Sequence, residues 1–153
     1  MSEQIDHDEN AVSIHVRRGD YLEPKYWKTT GCVCQLPYYL QRHSRNEQTD
    51  KPALLLCFTR TTLPRVKENL PLPKAFFIDW NKGTESWQDM MLMSRCRHHI
   101  ICNSTFSWWG AWLNPRENKT VIMPERWFRH CETPDICPDK WIKVPINQPD
   151  SIQ

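Results

Sequence analysis

The chain has 153 residues, of which 39% are hydrophobic and 25% are charged, and this composition is ordinary for a single soluble globular domain. Its net charge of +2 comes from 20 basic and 18 acidic residues. Because binding to nucleic acid needs a clustered excess of positive charge, this balance predicts no nucleic-acid partner. A few local Arg or Lys side chains still suffice for a small anionic ligand.

The sequence contains only four glycines but seven cysteines. With so few glycines, neither G-x-G-x-x-G nor a P-loop occurs, so any phosphate must be held by Arg, by hydroxyls or by a helix N-terminus. The cysteines lack the paired C-x-x-C spacing of a structural zinc site, and we therefore expect no bound metal. Because the first residues are polar rather than a secretory signal, we expect reduced thiols and a cytoplasmic location.

The first predicted element follows a polar start. Residues 1–10 are predicted to form a disordered tail. Residues 11–16 alternate and are rich in β-branched side chains, which predicts a strand. This strand opens into the polar turn Arg17-Arg18-Gly19-Asp20. An irregular loop over residues 21–35 and a helix over residues 37–45 follow.

Short apolar runs predict four further strands, at residues 53–58, 75–78, 98–102 and 120–123. Helical patterns separate them, over residues 63–69, 84–96 and 103–113. In the last helix, Phe106, Trp109 and Leu113 share a face that we expect in the core. Trp108 and Trp112 are expected to face a cleft or a partner domain. Residues after 128 show little periodicity.

The alternation of strands and helices predicts an α/β fold with a Rossmann-like, doubly wound parallel sheet. We expect one domain over residues 11–145, with short tails at residues 1–10 and 146–153. In such folds ligands bind at the carboxyl ends of the strands. The residues that follow each predicted strand are therefore the candidates for a binding site.

The end of the first strand carries His15, Arg17, Arg18 and Asp20. One guanidinium can bind a diphosphate through two hydrogen bonds, and the other can pair with Asp20. The alternative interpretation is a basic surface turn with a local ion pair.

The start of the Trp-rich helix predicted over residues 103–113 carries three hydroxyls close together, those of Ser104, Thr105 and Ser107. Backbone N–H groups and the helix dipole make such a terminus suitable for an anion. Plain capping by Asn103 or Ser104 explains the same residues equally well. Asp79 follows another strand, where it can bind a ribose or a guanine or simply form a turn.

The segment from His15 to Tyr21 resembles the H-x-R-R-x-D motif of the α-1,2-fucosyltransferases of glycosyltransferase family 11. Further similarity covers residues 31–34, 79–94, 98–114 and 135–141, so the resemblance extends over about residues 11–145. It implies transfer of L-fucose from GDP-fucose to the 2-hydroxyl of a galactose-type acceptor, with inversion. It also implies that this chain is the donor-binding half of a two-domain, GT-B-type glycosyltransferase.

The resemblance implies specific roles. The catalytic residues would be Arg17, Arg18 and Asp20, although the base that takes the acceptor proton is either Asp20 or a residue outside this chain. The donor-binding residues would be His15, Asp79, Asn103, Ser104, Thr105, Phe106 and Ser107. GDP-fucose is then a co-substrate, and no cofactor is expected. The acceptor would be a galactose-containing oligosaccharide or glycolipid, with peripheral association at the cytosolic face of the inner membrane.

The chain departs from the family pattern in two places. Family members carry an acceptor-side domain before the Arg motif, and the second strand usually leads into F-S-D-D, where this chain has Phe58-Thr59-Arg60-Thr61-Thr62. We therefore expect a truncated or locally frame-shifted form of a longer protein. Two alternatives stay open, namely a non-catalytic remnant that binds GDP or a GDP-sugar, and a degenerate remnant without a stable fold.

Overall fold

A computed structural model describes residues 1–17, 33–35, 37–39, 54–59, 66–68, 70, 72, 75–128 and 130–146. Six strands are present in this part of the chain: β1 (Val12–Val16), β2 (Leu55–Thr59), β3 (Phe76–Ile78), β4 (His98–Ile100), β5 (Val121–Pro124) and β6 (Ile142–Val144). The helices with defined bounds are α1 (Ser2–His7), α2 (Trp87–Arg95) and α3 (Thr105–Trp112), with 3-10 turns at Gly83–Ser86 and Pro134–Ile136. Residues 37–39 and 66–68 are also helical.

The six strands form one sheet in the order β3-β2-β1-β4-β5-β6, and every pair of neighbours is parallel. This confirms the predicted α/β fold, and it is the strand order of the Rossmann fold. Chain order runs outward from β1 in one direction and from β4 in the other. The chain order therefore reverses between β1 and β4, and the place at their carboxyl ends, where doubly wound sheets bind ligands, is called the crevice below.

Side chains of the central strands alternate between the two faces of the sheet. On one face, Val12, Ile14 and Val16 pack in a core that includes Tyr38, Tyr39, Val66, Leu70 and Leu72. On the other face, Leu56, Phe58 and Ile78 pack against Ile5, Leu92 and Met93. Because both faces are covered, β2 has the continuous apolar run from which it was predicted.

Helices α2 and α3 cover the second face side by side and approach each other closely at Gly110. A Cβ atom built there would lie 2.9 Å from Cβ and 3.1 Å from Sδ of Met93. The residues of α3 that turn inward are Ser107, Gly110 and Ala111, which are all small. The expectation that Trp109 and Leu113 belong to the core is therefore wrong, since they are 47% and 55% exposed.

The other tryptophans of α3 have different surroundings. Trp108 donates a hydrogen bond from Nε1 to the carbonyl of Ile136 at 2.7 Å, and its ring lies 5.5 Å from that of Trp141. Trp112 stacks on Trp108 with 5.0 Å between ring centroids, but half of its surface is exposed. Trp108 thus packs α3 against the segment that follows β5.

Two further expectations about the termini need correction. The predicted disordered tail over residues 1–10 is wrong, because Ser2–His7 forms α1, Ile5 is only 1% exposed and Asp6 pairs with Arg95. Strand β6 was not predicted, and of its residues only Val144 is buried. Of the predicted tail at 146–153, all but Ile146 lies outside the described residues. Within the described ranges, no helix has the length and apolar character needed to span a bilayer.

Candidate functional site

The crevice between β1 and β4 brings together the two segments that the sequence singled out. Arg17 directly follows β1, and Ser104 directly precedes α3. Nη1 of Arg17 donates a hydrogen bond to Oγ of Ser104 at 3.4 Å. The guanidinium at the end of β1 and the hydroxyl at the start of α3 therefore occupy one place in the fold.

Ser104 occupies the N-cap position of α3, but its side chain makes no capping hydrogen bond. Its backbone is extended, and its carbonyl accepts hydrogen bonds from the amide of Trp108 at 3.0 Å and from Oγ of Ser107 at 3.2 Å. The hydroxyl is directed to Arg17 instead of to its own helix. The first-turn amides of α3 thus lie beside a positive charge, which is the environment of an anion site.

His15 lies on the face of β1 that α3 covers. Its Nδ1 atom is 3.2 Å from Sγ of Cys102, and its ring centroid is 5.8 Å from that of Phe106. The carbonyl of His15 accepts a hydrogen bond from the hydroxyl of Tyr39 at 3.2 Å. These contacts hold the imidazole between the end of β4 and the first turn of α3.

Cys102 is fully buried behind this crevice. Burial raises the pKa of its thiol to about 12, against the opposing effects of the Ser107 hydroxyl and the positive charge of Arg17. The thiol is therefore protonated at neutral pH. Ser107 is also buried, with its Oγ 3.9 Å from Sγ of Cys102.

Asn103 connects the end of β4 with the segment after β5. Its buried side chain donates from Nδ2 to the carbonyl of Trp127 at 3.2 Å. Trp127 also lines a cleft of about 520 Å³, whose other walls come from residues 123–126, 128, 130–134, Cys137 and Lys143. Asn103 therefore positions the wall of a neighbouring cleft at the same edge of the sheet.

The structure brings most of the predicted donor-binding residues together. His15, Arg17, Ser104 and Phe106 surround the crevice, Asn103 and Ser107 support it from within, and Thr105 is exposed at the first position of α3. Asp79 follows β3 at the same edge, with β2 between it and β1. Arg18 and Asp20 lie outside the described residues. The functional roles of all these residues stay predictions.

Two residues at the crevice were not singled out from the sequence. Cys102 was taken as the last residue of a predicted strand, and Tyr39 as part of a helix. The sequence signal available for Cys102 was its position at the carboxyl end of a predicted parallel strand, where ligands bind. Nothing in the sequence indicates that the phenol of Tyr39 reaches the backbone of β1.

In the part of the chain that the structure describes, the cysteines are free thiols, and Cys131 is the exposed one. No group of three or more His, Cys, Asp or Glu side chains in the described ranges is arranged to hold a metal ion.

Known proteins resemble this chain over most of its length. The profile of glycosyl transferase family 11 matches residues 1–144. The O-antigen biosynthesis glycosyltransferase WbnK of Escherichia coli is 32% identical over 135 residues, which are 88% of this chain and 45% of the relative. The alpha-1,2-colitosyltransferase of Escherichia coli is 32% identical over 138 residues, or 88% and 48%.

A human relative matches a shorter part. Galactoside alpha-(1,2)-fucosyltransferase 1 of Homo sapiens is 33% identical over 110 residues, which are 67% of this chain and 28% of the relative. No solved structure matches. This chain therefore spans less than half the length of these curated relatives. With a family profile that covers residues 1–144 and a Rossmann-like sheet whose first strand ends in the Arg motif, the chain belongs to glycosyl transferase family 11.

Proposed function

We propose that this chain is the donor-binding part of an inverting glycosyltransferase, which transfers L-fucose from GDP-fucose to the 2-hydroxyl of a galactose-type acceptor. The observation that carries the proposal is the 3.4 Å hydrogen bond between Arg17 and Ser104, because it joins the Arg motif to the start of α3 at the point where the strand order reverses. Ligands of doubly wound sheets bind at such points.

The chemistry of the crevice suits a diphosphate. Departure of GDP from the sugar builds negative charge on the diphosphate, and preorganised donors that face this charge lower the barrier. Arg17, the hydroxyl of Ser104 and the first amides of α3 are donors of this kind. In this proposal arginine and amide groups supply the positive charge, and GDP-fucose is a co-substrate rather than a cofactor.

The acceptor side of the reaction lies mostly elsewhere. We propose a galactose-containing oligosaccharide or glycolipid as the acceptor, whose hydroxyl loses its proton to Asp20 or to a residue outside this chain. A cytoplasmic location, with peripheral attachment to the cytosolic face of the inner membrane, is part of the same proposal.

A colitosyl donor is the second candidate. The relative named alpha-1,2-colitosyltransferase is as similar to this chain as WbnK, at 32% identity. Arg17 and Ser104 are assigned to the diphosphate, and a diphosphate site does not distinguish one sugar from another. The donor sugar must therefore be identified by an assay that supplies both donors.

A binding part without activity of its own is the third candidate, because the chain spans only 45% and 48% of its two bacterial relatives. Calorimetric titration with GDP, GDP-fucose and pyrophosphate, followed by a transfer assay with lactose in which the fucosyl and the colitosyl donor are each supplied, separates these possibilities. Turnover supports an enzyme, and binding of GDP without turnover supports a donor-binding part. Competition by pyrophosphate is expected because the crevice binds the diphosphate. Absence of any GDP binding by the folded chain contradicts the proposal.

A further inference from the structure

The thiol of Cys102 makes a close contact that donor binding as proposed above does not use. Its Sγ atom lies 3.2 Å from Nδ1 of His15, and both side chains are buried. A neutral thiol is a weak donor and a weak acceptor, whereas a neutral imidazole has one donor and one acceptor nitrogen. The position of a single proton therefore decides how the imidazole presents itself to a ligand.

The surroundings of Cys102 indicate where its proton goes. The backbone amides of Cys102 and Arg17 act on the sulfur as donors, so they do not take its proton, and Oγ of Ser107 lies farther from the sulfur, at 3.9 Å. The hydroxyl proton of Ser107 is already donated to the carbonyl of Ser104 at 3.2 Å. The thiol proton therefore has its nearer acceptor in Nδ1 of His15.

We propose that Cys102 is a positioning residue of the donor site, whose S–H group donates to Nδ1 of His15 and fixes the imidazole as the Nε2–H tautomer. This inference rests on the proposed function only in the ligand that it assigns to the crevice, a nucleoside diphosphate. With its proton on Nε2, the ring has a donor at its second nitrogen. The other tautomer would present a lone pair there instead, so the thiol decides whether the imidazole donates or accepts at its second nitrogen.

The contact with Phe106 extends the consequence to α3. The His15 and Phe106 rings are 5.8 Å apart and tilted by 52°. An imidazole held by Cys102 therefore also gives the first turn of α3 a fixed surface to pack against. Loss of the thiol is expected to release the ring and to change the GDP site without removing any group assigned to the ligand.

Long-range proton–nitrogen NMR spectra of the full chain, labelled with ¹⁵N-histidine and assigned with His15→Gln, test the tautomer directly. The wild-type protein should show His15 protonated on Nε2 and not on Nδ1. Cys102→Ser, which retains a donor, should keep this signature. Cys102→Ala should lose it and should weaken GDP binding by about two- to tenfold, the range expected for one hydrogen bond.

Cys57→Ala is the matched control, because Cys57 is equally buried in the same sheet. This variant also removes one buried sulfur atom, and it should leave both the His15 tautomer and the GDP affinity unchanged. A wild-type His15 protonated on Nδ1 overturns the proposal, as does a Cys102→Ala variant that matches Cys57→Ala in both measurements. The tautomer is read in the protein without nucleotide, so failure of GDP to bind refutes the proposed function while the NMR result still decides the role of Cys102.

Discussion

Arg17 and Ser104 meet at 3.4 Å, although 86 residues of the chain separate them. Arg17 is delivered by β1, and Ser104 by the end of β4, which pairs with β1 in parallel. The contact is thus a direct result of the strand order, in which the first and fourth strands are neighbours. It places a fixed positive charge at the start of α3.

The first prediction concerns Arg17. Arg17→Ala should weaken GDP binding by about 1.5–3 kcal/mol, the range for a hydrogen bond to a charged group. Arg17→Lys should recover only part of this loss, because an ammonium lacks the planar pair of donors that matches phosphate. Calorimetric titration measures both.

Arg97→Ala is the control for that series, since Arg97 precedes β4 at the opposite edge of the sheet. It should bind GDP as the wild type does. Normal affinity in Arg17→Ala and also in Arg18→Ala means that the Arg motif does not hold the diphosphate.

The second prediction separates the two interpretations of Ser104 that the sequence left open. A capping serine costs about 1 kcal/mol of stability when it is replaced by alanine. Because the side chain of Ser104 makes no capping hydrogen bond and accepts one from Arg17, Ser104→Ala should reduce GDP affinity, and in an Arg17→Ala background it should lower the free energy of unfolding by less than loss of a cap would. Urea unfolding and a GDP titration give the two numbers, and the reverse pattern would identify Ser104 as a plain cap.

The third prediction concerns pH and the buried His99. Its Nδ1 lies 2.8 Å from Oγ of Ser13, and its Nε2 accepts from Nδ2 of Asn114 at 2.8 Å. Burial lowers the pKa of His99 to about 3, and the positive charges of Lys119 and Arg116 act in the same direction. The folded protein thus keeps this ring neutral over a range in which the unfolded chain, with a pKa of about 6.5, becomes protonated.

Stability should therefore be greatest above about pH 6.5 and should fall as the pH is lowered toward 3. One such group contributes a slope of at most about 1.4 kcal/mol per pH unit in this window. Urea unfolding at several pH values measures it. His99→Gln should flatten the dependence, whereas His130→Gln, at an exposed position, should not. Equal slopes in all three proteins would show that His99 is not the cause.

The fourth prediction concerns α1. Ile5 is buried against α2, so Ile5→Ala should lower the free energy of unfolding by about 2 kcal/mol or more. Asp6→Asn removes an exposed ion pair with Arg95, and exposed pairs of this kind contribute little to stability because solvent screens them. Denaturant unfolding of the two variants therefore tests whether burial of Ile5, rather than the ion pair of Asp6, holds α1 against α2. A larger loss in Asp6→Asn than in Ile5→Ala contradicts this explanation.

The central part of the fold could be predicted because its physical signals are local. Strand β2 has the apolar run typical of a sheet buried on both faces, and β1 was predicted from its alternation and its β-branched residues; a polar residue directly follows each of the two. That pattern also located the crevice, since parallel strands end at one edge. The segments around the site could thus be predicted from the residues that directly follow the predicted strands.

Other features depend on contacts that a linear pattern does not show. Helix α1 has only one buried apolar residue, Ile5, and the sequence around it is polar. In α3, Phe106 packs against the core as expected, but Trp109 and Leu113 do not, because the close approach of Gly110 to Met93 decides which side turns inward. The side-chain direction of Ser104 was equally undetermined, since a capping serine and one that faces a ligand have the same sequence context.

The uncapped start of α3 has one more consequence. The hydroxyl of Ser104 makes no capping hydrogen bond to the first amides of the helix. In the proposed function, a bound diphosphate would supply oxygens to those amides and act in place of the cap. Substrate would then complete the helix, so exchange of the amide hydrogens of Phe106 and Ser107 with solvent should slow when GDP binds.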